Sequence, residues 1–193
     1  MSHSFIRILS ASIIVFACHS THATSVSYGF REAQSQMLET LQHSGMLNLE
    51  KTTVSGITEI NGFITAKNST LNSLTVNGDA DLDHVLVKGS VLVQGKLAAE
   101  DANFQEAVVI KGQINAEDSH FNKTITIYGN HSEFENCHLE NIILEKNNDQ
   151  KVQHLYLEET QVDGDITFKS HGIIHMDKES KIVGKVTGGK IEV

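Results

Sequence analysis

From Leu74 onward, apolar and polar positions alternate in short runs, and the runs recur every seventeen residues. Leu74, Val91, Val108, Ile125 and Ile142 form one rail of equivalent positions. Val76, Val93, Ile110, Ile127 and Leu144 form a second rail two residues later. Gly78, Gly95, Gly112 and Gly129 keep the same interval, and Lys146 ends that series. Alternation at period two is strand spacing, one side chain facing in and the next out. Repetition at a fixed longer period marks a repeat architecture. Seventeen residues accommodate three strands of about four residues with tight corners between them. The pattern predicts an all-β chain, a single-stranded parallel β-helix whose coils stack about 4.8 Å apart.

Two coils can be read side by side. Val91, Val93, Leu97, Ala99, Ala102 and Phe104 face in, with Val108, Ile110, Ile114, Ala116, Ser119 and Phe121 as their equivalents. Phe104 and Phe121 then form a stacked pair. After Ile127 the period slips: Phe134, Leu139 and Ile143 fall out of step, and Asn147–Gln150 reads as a loop. Strand-like runs resume at Leu155–Leu157, Ile166–Phe168 and Ile173–Met176 and continue to Val193. The solenoid is expected to span residues 49–193.

Ahead of it, residues 24–48 read as a linker and an amphipathic helix. Phe30, Ala33, Met37, Leu38 and Leu41 have helical spacing, which predicts a helix over residues 29–43. Its role would be to cap the open end of the solenoid, whose first coil otherwise leaves ladder groups unpaired. Residues 1–23 read as an export signal. Arg7 supplies a positive start, Ile8–Ala17 a short apolar run, and Ala23 a small residue before a mature N-terminus at Thr24. A second reading takes Val15-Phe16-Ala17-Cys18 as a lipobox, with Cys18 lipidated and the membrane reached only through that anchor. Both readings place the mature chain in the periplasm or outside the cell.

Composition narrows the rest. The chain contains no proline, which suits continuous ladders that cannot spare an N–H. Its net charge of −9 argues against a nucleic-acid partner. Only Cys137 remains beyond the signal, so no internal disulfide is expected.

Candidate chemistry is sparse. Asp83, Glu100 and Glu117 stand in one outward column, and His84, Asp101, Asp118 and Glu135 in the next. Carboxylates one strand spacing apart raise one another's pKa unless solvent or a cation screens them. Oxygen ligands of this kind suit Ca²⁺, yet no EF-hand or nonapeptide Ca²⁺ repeat is present, and a solvated acidic face is the simpler reading. A Zn²⁺ site from His120, Cys137 and Asp118 is a further alternative, unsupported by any paired-ligand motif. There is no G-x-S-x-G or comparable nucleophile motif. No catalytic residue and no cofactor is expected.

The run Val91-Leu92-Val93-Gln94-Gly95-Lys96-Leu97-Ala98-Ala99, followed by Val108-Val109-Ile110-Lys111-Gly112-Gln113-Ile114-Asn115-Ala116, resembles the bactofilins, polymer-forming bacterial proteins. The resemblance covers roughly residues 74–145. It implies a right-handed β-helix that associates end to end without nucleotide. Unlike most of that family, this chain opens on an export-type segment. Together these readings point to a non-catalytic structural or interaction protein of the bacterial envelope or exterior. Self-association through the solenoid ends is expected, as a dimer or polymer. The alternatives are a module that binds glycan or an envelope partner and, behind it, a carbohydrate-active enzyme.

Overall fold

A computed structural model describes residues 21–146 and 152–193. Residues 1–20 of the expected export signal 1–23, Cys18 included, and the expected loop Asn147–Gln150 lie outside the described residues. The described chain is all-β: parallel strands stack as a solenoid of about ten turns, with no helix.

The rails of the sequence are the ladders of the fold. Leu74 pairs with Val91, Val91 with Val108, Val108 with Ile125, and Ile125 with Ile142. The second rail, Val76 to Leu144, pairs in the same register. All these side chains are buried, at most 2% exposed. A representative coil has three strands, Val91–Val93, Leu97–Glu100 and Asn103–Phe104. Phe104 and Phe121 stack as the repeat requires.

Glycine is required at one corner because coils touch there by backbone. Gly62 has φ +137°, and a Cβ on it would lie 2.1 Å from the Gly45 carbonyl oxygen. A Cβ on Gly112 would lie 2.0 Å from the Gly95 oxygen, so the column tolerates no side chain even where φ is ordinary.

The capping helix over residues 29–43 is not formed. That segment lies in two paired strands, Thr21–Gln34 and Met37–Glu50. Gly29 sits over Gly45, and Ala33 over Leu49, at an offset of sixteen. Pairing with the neighbouring coil satisfies the backbone of both segments, and tertiary pairing outweighs a helical spacing of apolar residues. Phe30 and Met37, read as parts of a buried helix face, are exposed instead. Among the described residues, paired strands are therefore present from Thr21 onward, well ahead of residue 49.

The slip after Ile127 is a single inserted residue. Ile114–Glu117 pairs with Ser132–Glu135 at an offset of eighteen, and Ile125–Ile127 regains seventeen against Ile142–Leu144. Phe134 consequently lies over Ala116, and its ring meets Phe121 edge-on at 5.8 Å. Below it the spacing widens, with Phe134 paired to Leu157.

Candidate functional site

The face built from Leu97–Glu100, Ile114–Glu117 and His131–Glu135 positions the acidic column. Asp83 pairs with Glu100, Glu100 with Glu117, Glu117 with Glu135, and Glu135 with Glu158. The side chains at these positions alternate outward, one per coil. Asp101 and Asp118 belong to the adjacent corner, in the left-handed region with φ of +49° and +50°. Asp is among the residues that tolerate this conformation. Each corner amide donates across to the next coil, Asp101 to the Glu117 carbonyl at 3.2 Å and Asp118 to that of Glu135 at 3.1 Å. The inserted residue corrects one assignment: Asn136 (φ +48°), not Glu135, follows Asp118 at the corner. The Asn136 side-chain amide donates to the Asp118 carboxylate.

The two ends of this column differ electrically. Lys67 Nζ lies 2.9 Å from Asp83, and His84 contacts both Asp83 and, at 3.3 Å, Asp101. The hydrogen bond from His84, then that from Lys67, holds the Asp83 carboxyl below its ordinary value. The same bond to Asp83, then the charge of Asp101, raises His84. Further along, Glu135 is pushed up by Glu117 first and Glu158 second. His84 and Glu135 are exposed and Asp83 partly so, and water and salt screen them. Among the described residues no group of three or more His, Cys, Asp or Glu is placed to hold a metal ion.

The alternative Zn²⁺ trio does not converge. His120 pairs with His138, while Cys137 faces the core. The Cys137 thiol donates to the Glu135 carbonyl at 3.2 Å, and burial pushes it up to about 12. It belongs to an internal ladder of small polar groups just past the left-handed corner. Thr52 N–H donates to Ser69 Oγ, Ala102 N–H to Ser119 Oγ, Cys137 N–H to Thr160 Oγ1, and Thr160 N–H to Ser180 Oγ. These hydroxyls satisfy amides that the corner leaves without a backbone partner.

Toward the C-terminal coils the acidic face acquires rings. Glu133, Tyr156, His175 and Glu192 share one outward column. Tyr156 and His175 stack at 4.4 Å, and His154 and His175 share a hydrogen bond at 2.9 Å between ring nitrogens. An open groove of about 490 Å³ runs between this ridge and the carboxylates of Glu135, Glu158 and Asp177.

The two ends of the stack are unlike. At the last coil Ile182, Val186 and Ile191 continue the inward positions of Val162, Ile166 and Ile174. Among the described residues nothing stacks on them, and Ile191 is 43% exposed. In the first coil the inward positions over Leu41, His43 and Leu47 are Ser25, Ser27 and Arg31. Arg31 Nη1 donates to Ser25 Oγ and, at 3.1 Å, to Ser27 Oγ. Ser27 Oγ meets His43 Nδ1 at 2.9 Å, and His43 Nε2 lies 2.9 Å from the Gly29 carbonyl and 3.1 Å from that of Met46. Two carbonyls at Nε2 make that nitrogen the donor, so Nδ1 accepts from Ser27. Burial lowers the Arg31 guanidinium from its usual value. A signal for this cluster was present in the sequence: extending the glycine column back through Gly62 and Gly45 to Gly29 sets the register of Ser27 and Arg31.

No family model, curated protein or solved structure matches the chain.

Proposed function

We propose that this is a non-catalytic structural or interaction protein, exported to the bacterial envelope or exterior, that associates through an end of its solenoid. One observation carries the reading: the last coil presents Ile182, Val186 and Ile191 as an apolar layer beside a strand that, among the described residues, is paired along one edge only. A bare strand edge is a template for pairing, and burying apolar area drives association. The repeat-level resemblance to bactofilins supports the same reading, including a right-handed coil. The non-catalytic part is supported by the spacing of the carboxylates, which the coil sets one per turn instead of converging on a point. Export rests on the Arg7 start, the Ile8–Ala17 run and Ala23.

Sedimentation velocity of the mature protein tests the association. A species larger than monomer is expected, reduced to monomer by Ile191→Asp, and a monomer at every concentration overturns the reading. Mass spectrometry from the native host is expected to find Thr24 at the N-terminus. A diacylglycerol mass on Cys18 would assign the lipoprotein route, and an intact cytosolic Met1 form would overturn export.

The groove beside Tyr156 and His175 favours a second reading, a module for glycan or an envelope partner. Carboxylates accept hydrogen bonds from sugar hydroxyls, and exposed ring edges offer apolar contact. Glycan-array binding lost on Tyr156→Ala would establish it.

A further inference from the structure

We propose that Arg31 is a stopper, a charged group held over the N-terminal end of the core that keeps a second solenoid from stacking there. The proposal rests on association through solenoid ends and adds which end is closed. Stacking requires that the inward layer of one coil accept the inward layer of another. At the C-terminal coil that layer is Ile182, Val186 and Ile191 with Ser180, whose hydroxyl already accepts from the Thr160 N–H, and it carries no charge. At the N-terminal coil it is Ser25, Ser27, Arg31 and Ala33.

A guanidinium carries five N–H donors and no acceptor. Here one nitrogen, Nη1, is engaged by Ser25 and Ser27, and Arg31 is only partly buried, so solvent still reaches it. A second coil laid on top would strip that water and supply no carboxylate in return, only a mainly apolar layer or a ladder edge. Burying a charge without a paired partner is strongly unfavourable. The side chain cannot easily swing aside, because Ser27 is itself held by His43, and His43 (2% exposed) is fastened to carbonyls of the first two coils. The conjunction matters: two serines on one strand aim Arg31 inward, and a buried histidine in the next coil anchors the second serine. With one end closed, head-to-tail growth is blocked. Association then ends at a two-fold pair joined through the C-terminal coils.

The test compares the wild-type chain with Arg31→Lys, Arg31→Met and the Arg31→Met/Ile191→Asp double variant. The readouts are sedimentation velocity across a hundredfold concentration range and particle length by electron microscopy. Wild type and Arg31→Lys are expected to stop at the dimer. Arg31→Met is expected to pass it, with at least a twofold rise in weight-average mass. The double variant, its C-terminal end blocked, is expected to go no further than a dimer joined through the opened N-terminal ends. A folded Arg31→Met that keeps the wild-type distribution overturns the stopper while end association stands. A double variant that grows past the dimer as Arg31→Met does overturns it too, since the extra mass of Arg31→Met would then come from elsewhere than the two ends. If wild type is monomeric throughout, end association through the C-terminal coil fails by itself. In that case a dimer gained by Arg31→Met upholds the stopper, and continued monomer removes it. Should Arg31→Met fail to fold, Arg31→Gln, neutral and still able to reach Ser27, is read by the same criteria.

Discussion

Phe121 lies on Phe104, with ring centroids 4.6 Å apart and planes tilted by 15°. Both side chains are fully buried, and the strands that carry them are paired residue for residue. Phe121→Ala should cost about 3–5 kcal/mol through lost burial and a cavity. A double-mutant cycle with Phe104→Ala should recover a coupling of about 0.5–1.5 kcal/mol. Urea denaturation measures both, and additive losses would deny the stack an energy of its own.

Ile110 and Glu117 sit in the same coil on opposite sides of the wall. Ile110 is buried and Glu117 points to solvent beside Glu100 and Glu135. Ile110→Asp should unfold the chain by burying a charge, while Glu117→Ala should shift stability by about 0.5 kcal/mol or less. Thermal melts of equal depth for the two variants would refute the register.

Thr58 occupies an apolar rail between Leu41 and Leu74, fully buried, and its hydroxyl has no hydrogen-bond partner. An orphaned buried hydroxyl costs about 1–3 kcal/mol, and valine has nearly the same shape. Thr58→Val should therefore stabilise the fold by about 1 kcal/mol or more. A fall in the urea midpoint would show that the hydroxyl is satisfied in solution.

The acidic face should give pH effects of opposite sign at its two ends. His84 is raised by its bond to Asp83, then by Asp101. A raised base stabilises the fold fully below its unfolded pKa and loses that effect as pH rises through the folded value. His84→Ala should therefore lower the melting temperature at about pH 5.5 and make little difference at about pH 9. Glu135 is raised by Glu117 and then Glu158, which penalises its charged form. Glu135→Gln should raise the melting temperature near neutrality, and the gain should vanish as pH falls below the ordinary carboxylate range of about 4. A gain at about pH 3 as large as that near neutrality would refute the electrostatic cause.

Asp83, Glu100, Glu117, Asp101, Asp118 and Glu135 are a solvated array in this reading. Melting should respond alike to Ca²⁺ and Mg²⁺ at matched ionic strength, through screening alone. A Ca²⁺-selective rise would establish the columns as a cation site.

What the sequence determined by itself is whatever the period controls. Leu74 to Ile142, Val76 to Leu144, the Phe104–Phe121 stack and the Asp83, Glu100, Glu117 column were legible, because equal spacing within a coil fixes which residues lie over one another. The tertiary structure decided the places where a local pattern and a long-range pairing disagree. Phe30, Ala33, Met37, Leu38 and Leu41 keep helical spacing, yet Thr21–Gln34 and Met37–Glu50 are strands because each backbone finds its partner sixteen residues away. One inserted residue between Ile127 and Ser132 moved Glu135 from the Asp118 corner onto Glu117, and turned Cys137 to the core while His120 stayed outside. The closure of the N-terminal end by Arg31, Ser25, Ser27 and His43 depends on the same pairing. Those side chains face inward only once the neighbouring coil sets the register, and a shift of one residue would turn every one of them to the other side of the wall.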